Sequence, residues 1–273
     1  MGQLSATYLT PAQEEVAEVI VGFFQQAVEP EAILLVNSCA NGQATHDNCL
    51  DLIVYLTPEA LDCYGQRLKN QWLVYCRTDQ RFAGLRQVGH FAKVHVDIVD
   101  GQYAPREQTF EDGIDSFELE VGNHLAYSVI LWERSDYARR LKGLWLPYYA
   151  ESLRQKRLLQ VQYACRHHLD HIPLYVQREL YFAAFDRLYT SFQLFMQALF
   201  IARSTYPLAY NKWIREQVES ILGLPELYRL LPGLLEVRPF ESGVVAGRAE
   251  ELGILLSLYT EKADVLGELV HPG

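Results

Sequence analysis

Nowhere in the 273 residues is there an apolar run approaching the roughly 18–20 residues that cross a bilayer, so no membrane-spanning helix is expected. The five cysteines (Cys39, Cys49, Cys63, Cys76 and Cys165) are odd in number and include no CxxC pair. That pattern argues against a disulfide framework and a cysteine-only zinc centre, and for a reducing compartment. The opening MGQLSATYLTPAQEE lacks the basic start and apolar middle of a secretory signal, and a cytoplasmic protein with no membrane partner is the expectation. Also missing are a P-loop, a GxGxxG after a strand, a GxSxG elbow, internal repeats and low-complexity tracts.

What the chain does hold is apolar and aromatic. Hydrophobic residues make up 49%, with 17 Tyr and 12 Phe, enough to fill one large core or two ordinary ones. Charge is unevenly spread. Residues 1–130 carry 7 Lys+Arg against 18 Asp+Glu, residues 131–180 carry 9 against 5, and the remainder carry 8 against 11. The acidic first half repels nucleic acid as a bulk partner, because such binding rests on phosphate neutralisation. The basic middle segment suits the solvated face of a helix, with a small anionic ligand as the other reading.

Local patterns divide the chain at about residue 118. Thr10, Pro11 and Gln13 form a helix start, and Val16, Ile20, Phe23 and Phe24 follow at helical spacing. AILLVNS (32–38) and LDLIVYL (50–56) read as buried strands, with a helix from Thr57-Pro58 to about Asn70 after them. WLVYC (72–76) reads as a further strand and FAKVHVDIVD (91–100) as another. From Phe117 onward the period is helical, through LEVGNHLAYSVILWERSDYARRLKGLWL and on to 174–203, 211–222 and 248–269. Pro147, Pro173 and Pro207 punctuate it. The expected fold class is therefore α+β: a mixed sheet with flanking helices over 1–118, then an all-α bundle over 119–273.

The stretch LLVNSCANGQATHDNCLDLIVYL concentrates the chemistry. Alternation puts Cys49, Asp51 and Ile53 on one face of the second strand, and His95, Asp97 and Val99 on one face of the later strand. Two aspartates bracketed by Val, Ile and Leu are costly to bury without a cation beside them. A divalent metal held by hard oxygen ligands accounts for both.

These residues resemble the nucleotidyltransferase superfamily that includes DNA polymerase beta and the antibiotic nucleotidyltransferases. In that motif a strand ends in Gly-Ser, a loop Gly follows, an Asp-x-Asp opens the next strand, and a third Asp lies on a later one. Here Asn37-Ser38 stands for Gly-Ser and Gly42 for the loop glycine, while Asp51 matches the second Asp and Asp97 the third. The resemblance implies that Asn37, Ser38 and Gly42 hold a triphosphate. It implies that Asp51 and Asp97 bind Mg2+ (or Mn2+), and that Asp97 takes the proton of an acceptor hydroxyl. Cys49 stands in place of the first Asp. A thiol is a poor magnesium ligand, so Asp47 is the substitute expected to complete the site, with Asp100 as a further helper.

The implied function is transfer of a nucleoside monophosphate from an NTP, ATP being the expected donor, to a hydroxyl of a small antibiotic-like molecule or a protein. The alternative is a chain that keeps the fold, has lost the chemistry, and binds nucleotide or a partner. A homo-oligomer is compatible with either. LYFAAFDRLYTSFQLFMQALFIARSTYPLAYNKWI (180–214) is similar to the helical domain of aminoglycoside-type relatives, which implies Lys212 at a phosphate and Tyr206 or Trp213 stacked on a ring. Beside that reading, the stripe Phe182, Phe185, Leu188, Tyr189, Phe192, Phe195 and Leu199 is spaced as core. Arg166-His167-His168-Leu169-Asp170-His171 sets His167 and His171 one turn apart, a metal spacing. A surface cluster at a helix end is the reading taken.

Overall fold

The computed structural model describes residues 10–45, 47–89, 92–105 and 114–260. The chain divides into two compact units, residues 1–104 with 120–147, and residues 105–119 with 148–273. The first is α+β and holds one mixed sheet; the second is helical in its described residues.

The first unit opens with α1 (Pro11–Ala27), whose start carries both capping-box bonds: the Gln13 N–H donates to Thr10 Oγ1, and the Thr10 N–H to Gln13 Oε1. Strand β1 (Ala32–Val36) is buried throughout and runs into a single helical turn, α2 (Asn37–Asn41). Then come β2 (Leu50–Tyr55), α3 (Pro58–Thr78), α4 (Gln80–Val88) and β3 (Val94–Val99). After α5 (Phe117–Val121), of which only Glu120 and Val121 fall in this unit, and a π-helical turn at Gly122–Ala126, β4 (Val129–Glu133) and α6 (Tyr137–Trp145) complete it.

The strand order is β3-β2-β1-β4, with β1 antiparallel to both neighbours and β3 parallel to β2. One face of the sheet presents Ile33, Leu35, Leu50, Leu52, Val54 and Ile98, which join Val16, Ile20 and Phe24 of α1 and Leu68 and Trp72 of α3 in one core. The opposite face carries Leu34, Ile53 and Tyr55, all fully buried, with Asp97 beside Ile53 and with Asp51 and His95 at its other end.

Two expectations fail here. WLVYC is helical, the last third of α3, which runs on to Thr78 rather than ending near Asn70. Trp72 and Tyr75 turn inward against Phe23 and Phe24, while Leu73 and Val74 face solvent, so helical packing overrides the local strand preference. VILWE is a strand, not part of a helix, and segment 120–147 belongs with the sheet. As an edge strand with intermediate burial at every position, β4 shows no alternation of inward and outward residues for a sequence pattern to report.

In the second unit, α7 (Glu151–Gln177) and α8 (Tyr181–Ala202) are joined by three residues and so pack as a helical hairpin. There follow α9 (Ile214–Glu216) with a π-helical turn at Gln217–Ile221, then α10 (Pro225–Leu234) and α11 (Val244–Thr260). The expected 211–222 helix is thus two short pieces, and the part of 248–269 beyond Thr260 lies outside the described residues. Pro173 does not end a helix but lies inside α7. The aromatic stripe is core from Leu188 onward, through Phe192, Phe195 and Leu199; Phe182 at its start is exposed and meets Phe240 instead. No helix among the described residues is long and apolar enough to cross a membrane.

At the centre of this unit Arg157 is fully buried. Its Nε donates to Glu118 Oε1 (2.8 Å), and its Nη2 donates to Asp115 Oδ1 (2.8 Å) and Glu118 Oε2 (2.6 Å). Burial alone would push the guanidinium pKa down, but Glu118 and Asp115 outweigh it and hold it above the ordinary value. Gln197 Nε2, Tyr149 Oη and the Phe117 N–H also donate to the two carboxylates. One arginine of the basic middle segment is therefore neither a solvated face nor a ligand contact, but the anchor of residues 115–118.

Candidate functional site

Asp51 is the second residue of β2, opposite Val36 on β1 and beside His95 on β3. Because β2 and β3 are parallel and paired in register, Asp51 and His95 are neighbours on one face, and Ile53 and Asp97 are the next such pair. Cys49, two residues before Asp51, shares its face. The ligand atoms of Cys49, Asp51 and His95 all lie within 4.8 Å of one another. Asp51 and Cys49 are half-buried, while His95 and Asp97 are exposed on the edge strand. The desolvation argument for a cation therefore does not apply to Asp97, because β3 leaves that face in water.

The loop before β2 is built by local bonds. Asn37 takes a left-handed conformation (φ 56°) and so does Gly42 (φ 80°), whose N–H returns to the Ser38 carbonyl. Ser38 is buried. The Cys39 thiol, also buried, lies 3.5 Å from the Cys49 carbonyl and donates to it. Burial first, and then the Asp51 charge, push the Cys39 pKa up to about 11, so it is a neutral thiol. Asp47 accepts from Thr45 Oγ1 (2.7 Å) and lies over Gly89, where an added Cβ would come within 2.4 Å of the Asp47 Cβ. It does not belong to the Cys49–Asp51–His95 group, and the turn that fixes it over Gly89 explains why. Asp100 accepts the Gln102 N–H at 2.9 Å, a local turn bond.

Asp97 instead lines a polar pocket of about 520 Å³ with Lys69, Asp100, Tyr103, Glu120 and His124. Behind it runs a chain of hydrogen bonds: Tyr55 Oη to Tyr103 Oη (2.6 Å), and Tyr103 Oη to His124 Nδ1 (3.3 Å). Burial pushes both phenols up and pushes His124 down, with Glu120 and Asp97 pulling the imidazole back up. His124 and Tyr103 did not stand out in the sequence. The π-helical turn that aims His124 at this pocket has no pattern of its own.

The remaining residues of the sequence reading lie in the second unit. Tyr206 is buried against the Tyr148 ring (4.7 Å), so it serves packing rather than stacking on a ligand. Lys212 is exposed in the second unit, its carbonyl accepting from Gln217 Nε2, and Trp213 is half-buried with φ 51°. The histidine cluster is not at a helix end, since α7 runs on to Gln177. His168 is buried, and its Nδ1 accepts from Arg187 Nη1 at 3.0 Å. Burial, then Arg187, His167 and His171, push its pKa down to about 4, with Asp186 opposing.

The unfolded chain takes up this proton near 6.5 and the folded one only near 4, so stability is lost as pH falls through that window. The expected loss is on the order of 2–3 kcal/mol at about 1.4 kcal/mol per pKa unit. Urea midpoints at pH 7 and pH 4.5 should drop less in His168→Gln than in the wild type; parallel drops would reject the assignment.

No family model, curated protein or solved structure matches the chain.

Proposed function

We propose that the first unit is a nucleotidyltransferase-type fold that binds nucleotide without performing two-magnesium transfer. One observation carries this reading: a thiol, a carboxylate and an imidazole meet at Asp51, where the transfer reaction needs a set of carboxylates. Magnesium takes oxygen ligands in near-octahedral geometry, so the donor set does not fit it. What supports the nucleotidyltransferase frame is the mixed sheet, with Asn37-Ser38 directly after β1, Asp51 opening β2 and Asp97 on the parallel β3.

Nucleotide binding is tested by melting the protein with ATP, GTP, CTP or UTP, each with magnesium, manganese or chelator. A ligand at a hundred times its Kd stabilises by about 2.7 kcal/mol, or several degrees for a chain of this size. A shift with at least one nucleotide, of similar size with magnesium and with chelator, is the expected result. No shift with any of the four would reject the reading.

A second reading, transfer to a hydroxyl of a small or protein acceptor, is favoured by Asp97 alone. It is exposed in a polar pocket beside Lys69 and His124, where it can accept the proton of a bound hydroxyl. Pyrophosphate release that is abolished in Asp97→Asn would select it over binding alone.

A further inference from the structure

We propose that Cys49, Asp51 and His95 form a three-ligand site for a borderline divalent transition metal, zinc foremost, with a fourth position open to solvent. The inference goes beyond nucleotide binding and rests only on donor chemistry and geometry. The three side chains come from one strand pair. Cys49 and Asp51 are two residues apart on one face, and His95 is the register partner of Asp51. Their ligand atoms already lie within 4.8 Å of one another. A tetrahedral zinc with ordinary sulfur, nitrogen and oxygen bonds holds its ligand atoms about 3.3–3.6 Å apart.

The donors match such an ion and mismatch a hard one. A thiolate and a carboxylate neutralise the dication while a neutral imidazole adds a third bond. Sulfur with nitrogen selects zinc, cobalt and their neighbours over magnesium. The placement on an edge strand leaves the fourth position facing water, the arrangement in which zinc holds a water or an anionic ligand. Of the other cysteines, Cys39 is a buried neutral thiol and Cys63 is exposed on α3, neither being in the group.

The test is cobalt(II) titration of the full chain after chelator treatment. One equivalent should give intense visible bands of a tetrahedral ion and a near-ultraviolet thiolate-to-cobalt charge-transfer band. Zinc should abolish both and millimolar magnesium neither. Cys49→Ser should lose the charge-transfer band, while Cys63→Ser keeps it. His95→Ala should weaken binding at least as much as loss of an outer-shell partner does, about 10–100-fold. Circular dichroism and melting curves check that the variants fold. Absence of the bands in the wild type, or their survival in both Cys49→Ser and His95→Ala, would overturn the proposal, as would displacement by magnesium. The nucleotide reading is scored separately: cobalt bands without a nucleotide shift uphold the metal site and reject nucleotide binding, and the converse pattern does the reverse.

Discussion

Arg157→Ala should lower the unfolding free energy of the second unit by about 3–5 kcal/mol, the range for removing one partner of a buried ion pair. The size follows from what the substitution leaves behind. Asp115 and Glu118 are both buried, and Arg157 is the cation that meets them through three nitrogens. Gln197, Tyr149 and the Phe117 N–H remain as neutral donors, which cannot compensate two carboxylates removed from water. The side chain also lies over the Phe117 ring, so some packing is lost with the charge.

A second variant separates the two causes. Replacing Arg157 by Met together with Asp115→Leu and Glu118→Met removes every charge and keeps most of the volume. Such replacements of buried ion clusters are often neutral or stabilising. Chemical denaturation of both proteins gives the answer. If the triple variant recovers much of the loss, the cost in Arg157→Ala is stranded charge. If both fall equally, packing and the Gln197 and Tyr149 bonds carry the stability, and the electrostatic account is wrong.

How much of this was legible in the sequence depends on whether a feature is local. The strand β1 is an unbroken apolar run, β2 is apolar and buried apart from the half-buried Asp51, and β3 alternates cleanly, so all three could be read. The capping box at Thr10 and the Thr57-Pro58 start of α3 are likewise local signals. The failures are tertiary. Trp72 is helical because Phe23 and Phe24 offer it a partner from α1, which no window around residue 72 contains. Arg157 meets Asp115 and Glu118 from about forty residues away, and in the sequence it is one more cation in a basic segment.

The site shows the same limit at finer scale. Asp51 and Asp97 could be assigned to the correct strands and faces, but not to a register. The segment between β2 and β3 contains two helices, and no short turn fixes how the strands pair. A shift of one residue pair would set Asp97 beside Asp51. The observed register sets His95 there, changing the donor set from hard to borderline.

The second large effect is expected at Gly101, just past β3, and its argument is steric. Gly101 has φ +73°, and a Cβ there would meet Tyr137 Oη at 2.7 Å, with Leu141 and Tyr55 carbons each at 3.1 Å. Tyr137 Oη donates to the Asp100 carbonyl, and Tyr55 Oη contacts Tyr103, so the intruding methyl displaces groups already engaged. An alanine pays about 1 kcal/mol for the left-handed backbone. Overpacking adds about 1–3 kcal/mol. Gly101→Ala should therefore cost about 2–4 kcal/mol. Gly42→Ala supplies the control: its φ is +80°, but nothing lies within 4 Å of the added Cβ, so only the backbone term applies. Denaturation of the two variants side by side isolates the packing of Gly101 against Tyr55 and Tyr137. Equal losses would mean that those rings yield freely. In that case the Tyr55–Tyr103–His124 chain behind the Asp97 pocket is not held by this contact. A larger loss at Gly101, with near-ultraviolet dichroism changed there and not at Gly42, would mean that the pocket wall and the fold depend on the same close approach.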